Sequence, residues 1–161
     1  MSNVGSEKLI SLGNIYIKTL FAFQYYHGEN MRQEEWESKG RVLGGVDRSR
    51  LVYLAHIYLG YMWELVDFIG EKELGVMSGL ESDVELRSQL RGMRNSVFHS
   101  ATREKMHERF NGLIAVNNDW KIILMRDLET IGKYIYELLQ ADNPTNALAF
   151  KKLWVGISPF R

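Results

Sequence analysis

The chain contains no cysteine. That excludes a disulfide framework, a thiolate metal site and a thiol nucleophile, and it is compatible with a reducing compartment, so a cytoplasmic location is expected. Proline is nearly as scarce. Only Pro144 and Pro159 occur, leaving the preceding 143 residues free of that helix breaker. No run of about 18 apolar residues exists, so no membrane span is expected. The start, Met1-Ser2-Asn3-Val4-Gly5, lacks the basic, apolar and small-residue succession of a secretion signal. Net charge is also missing: 20 Lys and Arg balance 20 Asp and Glu. A protein that coats nucleic acid non-specifically is usually basic, so any contact with RNA or DNA would have to use a local patch.

Several chemistries lack their residues. There is no Gly-x4-Gly-Lys or Gly-x-Gly-x-x-Gly loop, and Gly40, Gly44 and Gly45 have the wrong spacing for one. No Gly-x-Ser-x-Gly elbow and no His-Glu-x-x-His pair occurs. Glu104-Lys105-Met106-His107 is one Glu-x-x-His element, but bundle di-iron sites need two of these and two further glutamates. It reads as a solvated helix face, and no metal or cofactor is expected. Of the other histidines, His56 lies beside an apolar stripe and reads as a packing residue. His27 closes the first predicted helix, where the negative end of the helix dipole suffices to explain it.

What the chain does have is apolar residues recurring at three and four, with 45% apolar content over 161 residues. This suits one domain, 1–161, with a proper core. Ser6 reads as the cap of a first helix reaching about Tyr26, with Leu9, Leu12, Tyr16, Leu20 and Phe23 inward. Its remaining aromatics, Phe21, Tyr25 and Tyr26, read as core or interface packing. Residues 28–46 read as loop containing a short helix at Glu34–Glu37. Asp47 is expected to cap a second helix carrying Leu51, Leu54, Ala55, Tyr58, Met62, Leu65, Val66 and Ile69. Ser82-Asp83-Val84-Glu85 has the form of a capping box for a third. Residues 100–118 give mixed signals. Asn118 or Asp119 opens a last long helix with Trp120, Leu124, Leu128, Ile131, Ile135 and Leu138 inward, followed by a short helix near Thr145–Leu153 and an aromatic tail. The fold class is all-α, a bundle of four to five helices.

The third helix leads into Arg91-Gly92-Met93-Arg94-Asn95-Ser96-Val97-Phe98-His99-Ser100. Its apolar stripe is Leu86, Leu90, Met93 and Val97, and a polar row, Arg87–Arg91–Asn95–His99–Arg103, would run beside it. From Arg87 to Arg109 six basic residues (Arg87, Arg91, Arg94, Arg103, Lys105, Arg109) face two acidic ones, Glu104 and Glu108. This is the local positive concentration to which a phosphate backbone would be attracted. Five residues of helix turn through about 500°, setting Arg94 and His99 about 140° apart. To address one phosphate together they need either a backbone break between them or a second subunit.

Arginine, a polar residue next, and histidine four to six positions after the arginine is the motif of HEPN domains. Arg94-Asn95-Ser96-Val97-Phe98-His99 resembles it. Arg50 and His56 also meet the loose spacing, but apolar residues surround them, whereas the later pair has the asparagine and the basic context. The resemblance implies a HEPN-like helical bundle acting as a homodimer with a site shared between subunits. It further implies metal-independent endoribonuclease activity, typical of toxin–antitoxin or antiviral (phage-defence) systems, with a nucleotidyltransferase-type antitoxin as partner. Catalysis would then rest on Arg94 and His99, assisted by Asn95, with Arg87, Arg91, Arg103 and Lys105 holding RNA. Glu64 and Asp67 on the second long helix could buttress an arginine. The alternative is a non-catalytic HEPN-like bundle that binds RNA, nucleotide or a partner protein.

Overall fold

The computed structural model describes residues 4–99 and 101–157, without the side chains of Phe98 and of residues 153–157. The expected aromatic tail, and within the motif Ser100 and the Phe98 side chain, lie outside what is described. The described residues are all-α, with no strand. Six α-helices follow in order: α1 Ser6–Ser38, α2 Gly45–Glu71, α3 Val84–Phe98, α4 Arg103–Val116, α5 Trp120–Asp142 and α6 Pro144–Ile157. A 3-10 segment at Gly75–Gly79 joins α2 to α3. The four to five expected helices become six because residues 103–116 form a full helix.

α1 is one helix of 33 residues, not a helix to Tyr26 followed by loop. Gly28 inside it costs about 1 kcal/mol of helix propensity, and tertiary contacts outweigh that cost. Glu29 accepts two bonds from the Arg32 guanidinium and a third from Gln33 Nε2 (2.9 Å), and it faces Arg50 of α2 at 3.6 Å. The buried Gln33 also donates to the Asp47 carbonyl at 2.7 Å. Arg32 lies 4.1 Å over the Trp36 ring. These contacts zip the second half of α1 to α2. The helix stops at Gly40, whose φ of +79° suits a residue without a Cβ, while Arg41 N–H reaches the Trp36 carbonyl at 3.0 Å. His27 therefore sits in mid-helix, stacked on Phe23 (5.4 Å), and not at a helix end.

α2 lies at the centre, packed against α1, α3 and α4. Burial consequently extends beyond the expected stripe to Val52, His56 and Leu59. The core unites Leu9, Leu12, Tyr16, Leu20 and Phe23 of α1 with Leu124, Leu128, Ile131 and Ile135 of α5. Three expected caps moved. Gly5 precedes α1 and no side chain caps it. Gly44 precedes α2, and Asp47 is its third helical residue, accepting from Gly44 N–H at 3.1 Å. Asp83, not Ser82, caps α3, accepting from Leu86 N–H at 2.8 Å. The Ser82 N–H is taken by Asp127 of α5, and its hydroxyl accepts from Arg87 Nε at 3.3 Å. Asp119 opens α5 without a side-chain bond.

Candidate functional site

α3 is fixed along its whole length. At its start, the fully buried Asp127 carboxylate accepts from the backbone N–H groups of Glu81 (2.7 Å) and Ser82 (3.1 Å). In its middle, Arg109 of α4 donates to the Gly92 carbonyl at 2.8 Å. Leu86, Leu90 and Met93 are wholly buried beneath it. Where α3 crosses α2, Gly60 sits so close that a Cβ there would lie 3.3 Å from the Arg94 Cα. A residue without a side chain is what lets the two helices approach at this point. Arg94 is therefore held on the outer edge of the α2–α3 seam.

Arg94 Nε donates to Glu64 Oε1 at 2.8 Å, with about 38% of each side chain still exposed. Of the two carboxylates expected near an arginine, Glu64 thus engages one directly. Asp67 lies near Arg87 instead, in a shallow depression with Trp63, Gly70 and Glu71. Asn95 Oδ1 is 3.5 Å from Arg94 Nη1, a long contact. His99 is exposed and ends α3: its backbone φ is −103°, its N–H bonds the Asn95 carbonyl at 2.9 Å, and Ala101 N–H closes onto Ser96 at 3.1 Å. The helix is therefore continuous from Arg94 to Phe98. No backbone break brings Arg94 and His99 to one side, and they remain about 140° apart around the axis.

The expected row ends at His99. Arg103 is the first residue of α4, after the Thr102 cap, and it donates to the Gly45 carbonyl at the start of α2 (3.1 Å). α3 runs antiparallel to α2, with Arg87 beside Gly70 and Arg103 beside Gly45. Twenty-five residues of α2, about 37 Å, separate those two positions. The basic residues thus form a line, with the exposed Arg91 and the Arg94–His99 pair between its ends. The α2 carboxylates Glu64 and Asp67, expected to buttress an arginine, lie beside this line, together with Glu71, which the sequence pattern did not single out. Lys105 is 3.4 Å from Glu108. Arg109 turns inward, and its Nε is buried without a partner.

Beside Arg94 a cleft of about 220 Å³ opens on α2, lined by Tyr53, His56, Ile57, Gly60, Tyr61, Glu64 and, from α3, Val97. Val97, expected in the core stripe of α3, is half-buried and lines this cleft instead. Tyr53, Ile57, Tyr61 and Glu64 share one helix face beside the buried stripe, and α3 closes the cleft on them. His56 is fully buried, with Nδ1 2.8 Å from the Val52 carbonyl and Nε2 lacking a partner. Burial lowers its pKa below the usual 6.5, and the nearby Arg109 and His107 charges lower it further, against the Val52 bond. The ring is therefore neutral, with the proton on Nδ1 and a lone pair on Nε2. Among the described residues, no three His, Asp or Glu side chains are grouped to hold a metal, and no helix is long and apolar enough to cross a membrane. No family model, no curated protein and no solved structure matches the chain.

Proposed function

We propose that the chain is a HEPN-type, metal-independent endoribonuclease whose site is completed by a second copy. The observation that supports this reading is a contrast between Arg50–His56 and Arg94–His99, two of the three Arg–His pairs that fit the spacing (Arg103–His107 is the third). His56, partner of Arg50 in sequence, is completely buried and cannot meet a polymer. His99 is exposed at a helix end, five residues after a half-exposed Arg94 that a carboxylate holds in place. The chemistry would use His99 to take the proton of an RNA 2′-hydroxyl, or to protonate the departing 5′-oxygen. The 2′-oxygen attacks phosphorus, the P–O5′ bond breaks, and a 2′,3′-cyclic phosphate and a 5′-hydroxyl result. Arg94 would donate to the phosphate oxygens as negative charge gathers on them. Because α3 is unbroken, Arg94 of one copy and His99 of the other would meet across a two-fold axis. A role as toxin or phage-defence component, with a nucleotidyltransferase-type antitoxin, belongs to the same proposal.

The test is cleavage of single-stranded RNA in the presence of chelator. Wild-type chain should cut it and leave cyclic phosphate ends, while His99→Ala and Arg94→Ala should not. RNA with a 2′-deoxy sugar at the cut site should survive. Intact RNA with well-folded wild-type dimer, over several substrates, overturns the reading. The non-catalytic alternative is favoured by the Glu64–Arg94 pair, since a carboxylate at 2.8 Å offsets the arginine's charge toward phosphate. It requires RNA or nucleotide binding that His99→Ala leaves unchanged.

A further inference from the structure

We propose that the outer face of α1 docks a second copy of this chain, antiparallel and related by a two-fold axis that passes level with Thr19. Tyr16 of α1 meets Leu128 of α5 and Phe150 of α6, while Thr19 and Phe23 turn to Tyr61 and Tyr58 of α2. Phe21 lies about 140° from Tyr16 around the helix, on a side that none of these contacts covers. Along that side, from Ile10 through Asn14, Ile17, Phe21 and Gln24 to Gly28, residues follow at alternating steps of four and three. That is the a and d pattern of a coiled-coil seam. Ile10 is 64% exposed, Phe21 41%, and Met31, next in the row, 52%, with Ile17 half-buried between them. α3, which carries Arg94 and His99, packs on α2 and α4, so this face is separate from the one that the ribonuclease reading uses.

The row complements itself when reversed, which is what a two-fold interface requires. In an antiparallel pair each a residue faces a d residue of the other helix. An axis level with Thr19 brings Ile17 to Phe21, Asn14 to Gln24 and Ile10 to Gly28, each pair twice. Ile17 and Phe21 make an apolar centre on both sides of the axis. Asn14 and Gln24 are exposed amides, each a donor and an acceptor, and a polar layer of this kind fixes register. Ile10 meets a residue without a side chain, where an added Cβ would find nothing within 4 Å. At each end Glu7 of one copy comes level with Arg32 of the other, opposite charges on half-exposed or exposed side chains. Sliding the second copy by one heptad either way sets Asn14 against Met31 or Ile17 and strands an amide on an apolar side chain. A parallel pair would face Gly28 with Gly28 and leave a hole. Lys18 flanks the seam and keeps its ammonium in water.

Because the chain has no cysteine, the register can be measured directly. Ile10→Cys and Gly28→Cys, both at exposed positions, are prepared singly and oxidised mildly, alone and mixed. Each alone should stay uncross-linked, since like positions lie 18 residues, about 27 Å, apart along the pair. The mixture should form a disulfide dimer. Phe21→Glu sets a carboxylate in both central layers and should weaken self-association at least about a hundredfold. In sedimentation equilibrium it should halve the mass of the wild-type species, with the helical circular dichroism unchanged. Arg94→Ala and His99→Ala should leave pairing through α1 intact. A wild-type chain that is monomeric at about 100 μM, an unchanged mass for Phe21→Glu, or single variants that cross-link as readily as the mixture overturns the interface. RNA left uncut by a chain that still pairs through α1 removes the ribonuclease reading and leaves this interface standing.

Discussion

Replacing Gly60 by alanine should cost stability, whereas the same change at Gly28 should add it. Both glycines are interior to α-helices, so each substitution gains about 1 kcal/mol in helix propensity and in reduced freedom of the unfolded chain. At Gly28 a Cβ meets nothing within 4 Å. At Gly60 it lies 3.3 Å from the Arg94 Cα, which is backbone and cannot rotate away. α3 is tied by Asp127 at its start and by Arg109 in its middle, so it resists the small shift required. Overpacking of this kind costs about 1–3 kcal/mol. Gly60→Ala should therefore fall between neutral and about 2 kcal/mol destabilised, and the two variants should differ by about 1–3 kcal/mol. Urea titration with unchanged slope measures this, because the propensity gain cancels in the comparison. A Gly60→Ala protein as stable as Gly28→Ala would refute the claim that the α2–α3 crossing is limited by backbone contact.

Asp127→Asn keeps one acceptor but turns an amide N–H₂ toward a backbone N–H. It should destabilise by about 2–4 kcal/mol, and hydrogen exchange should speed up first at the start of α3. Folded His56 has a pKa below 6.5, so the unfolded chain binds the extra proton as pH falls. Stability from this group is complete above about pH 6.5 and is lost as pH drops toward the folded pKa, with a slope of at most about 1.4 kcal/mol per pH unit. His56→Gln should flatten the stability–pH curve below about pH 6.5; an unchanged slope contradicts the assignment. Glu29 is held below the usual carboxylate range, first by the Arg32 hydrogen bond. Its contribution is therefore present above about pH 4.5 and lost below it, and Glu29→Gln should increase exchange at residues 29–38. Glu64→Gln should change stability by less than about 1 kcal/mol, since both partners are more than a third exposed.

Helix periodicity alone identified the all-α class and the inward faces of α1, α2, α3 and α5, because amphipathic stripes are a local property of sequence. What it missed depends on contacts distant in sequence. Residues 28–38 carry weak periodicity and a glycine, and only Glu29, Gln33 and Trp36 meeting Arg32, Arg50 and the Asp47 carbonyl make them helix. Val52 and Leu59 looked off-stripe because a central helix is buried on more than one side. Ser82 looked like the α3 cap because nothing in the sequence reveals that Asp127 claims its N–H. At the candidate site, the Arg94–His99 spacing and its 140° divergence could be read directly. The Glu64 partner could be guessed from its place on α2. The cleft could not, since it arises where α3 lays Val97 and Arg94 against the Tyr53–Glu64 face.

The hydrogen bond from Tyr16 Oη to the Leu128 carbonyl (2.8 Å, buried) joins residues 112 apart, and it dictates the order in which the chain can fold during synthesis. α1 and α2 can pair as soon as both have emerged, but the face of α1 bearing Leu9, Leu12 and Tyr16 needs α5 to cover it. Until residue 128 leaves the ribosome, that face and the hydroxyl of Tyr16 remain open to water or to other chains. A nascent chain of this protein is therefore most adhesive through its first helix, and stays so until α5 has emerged to cover it.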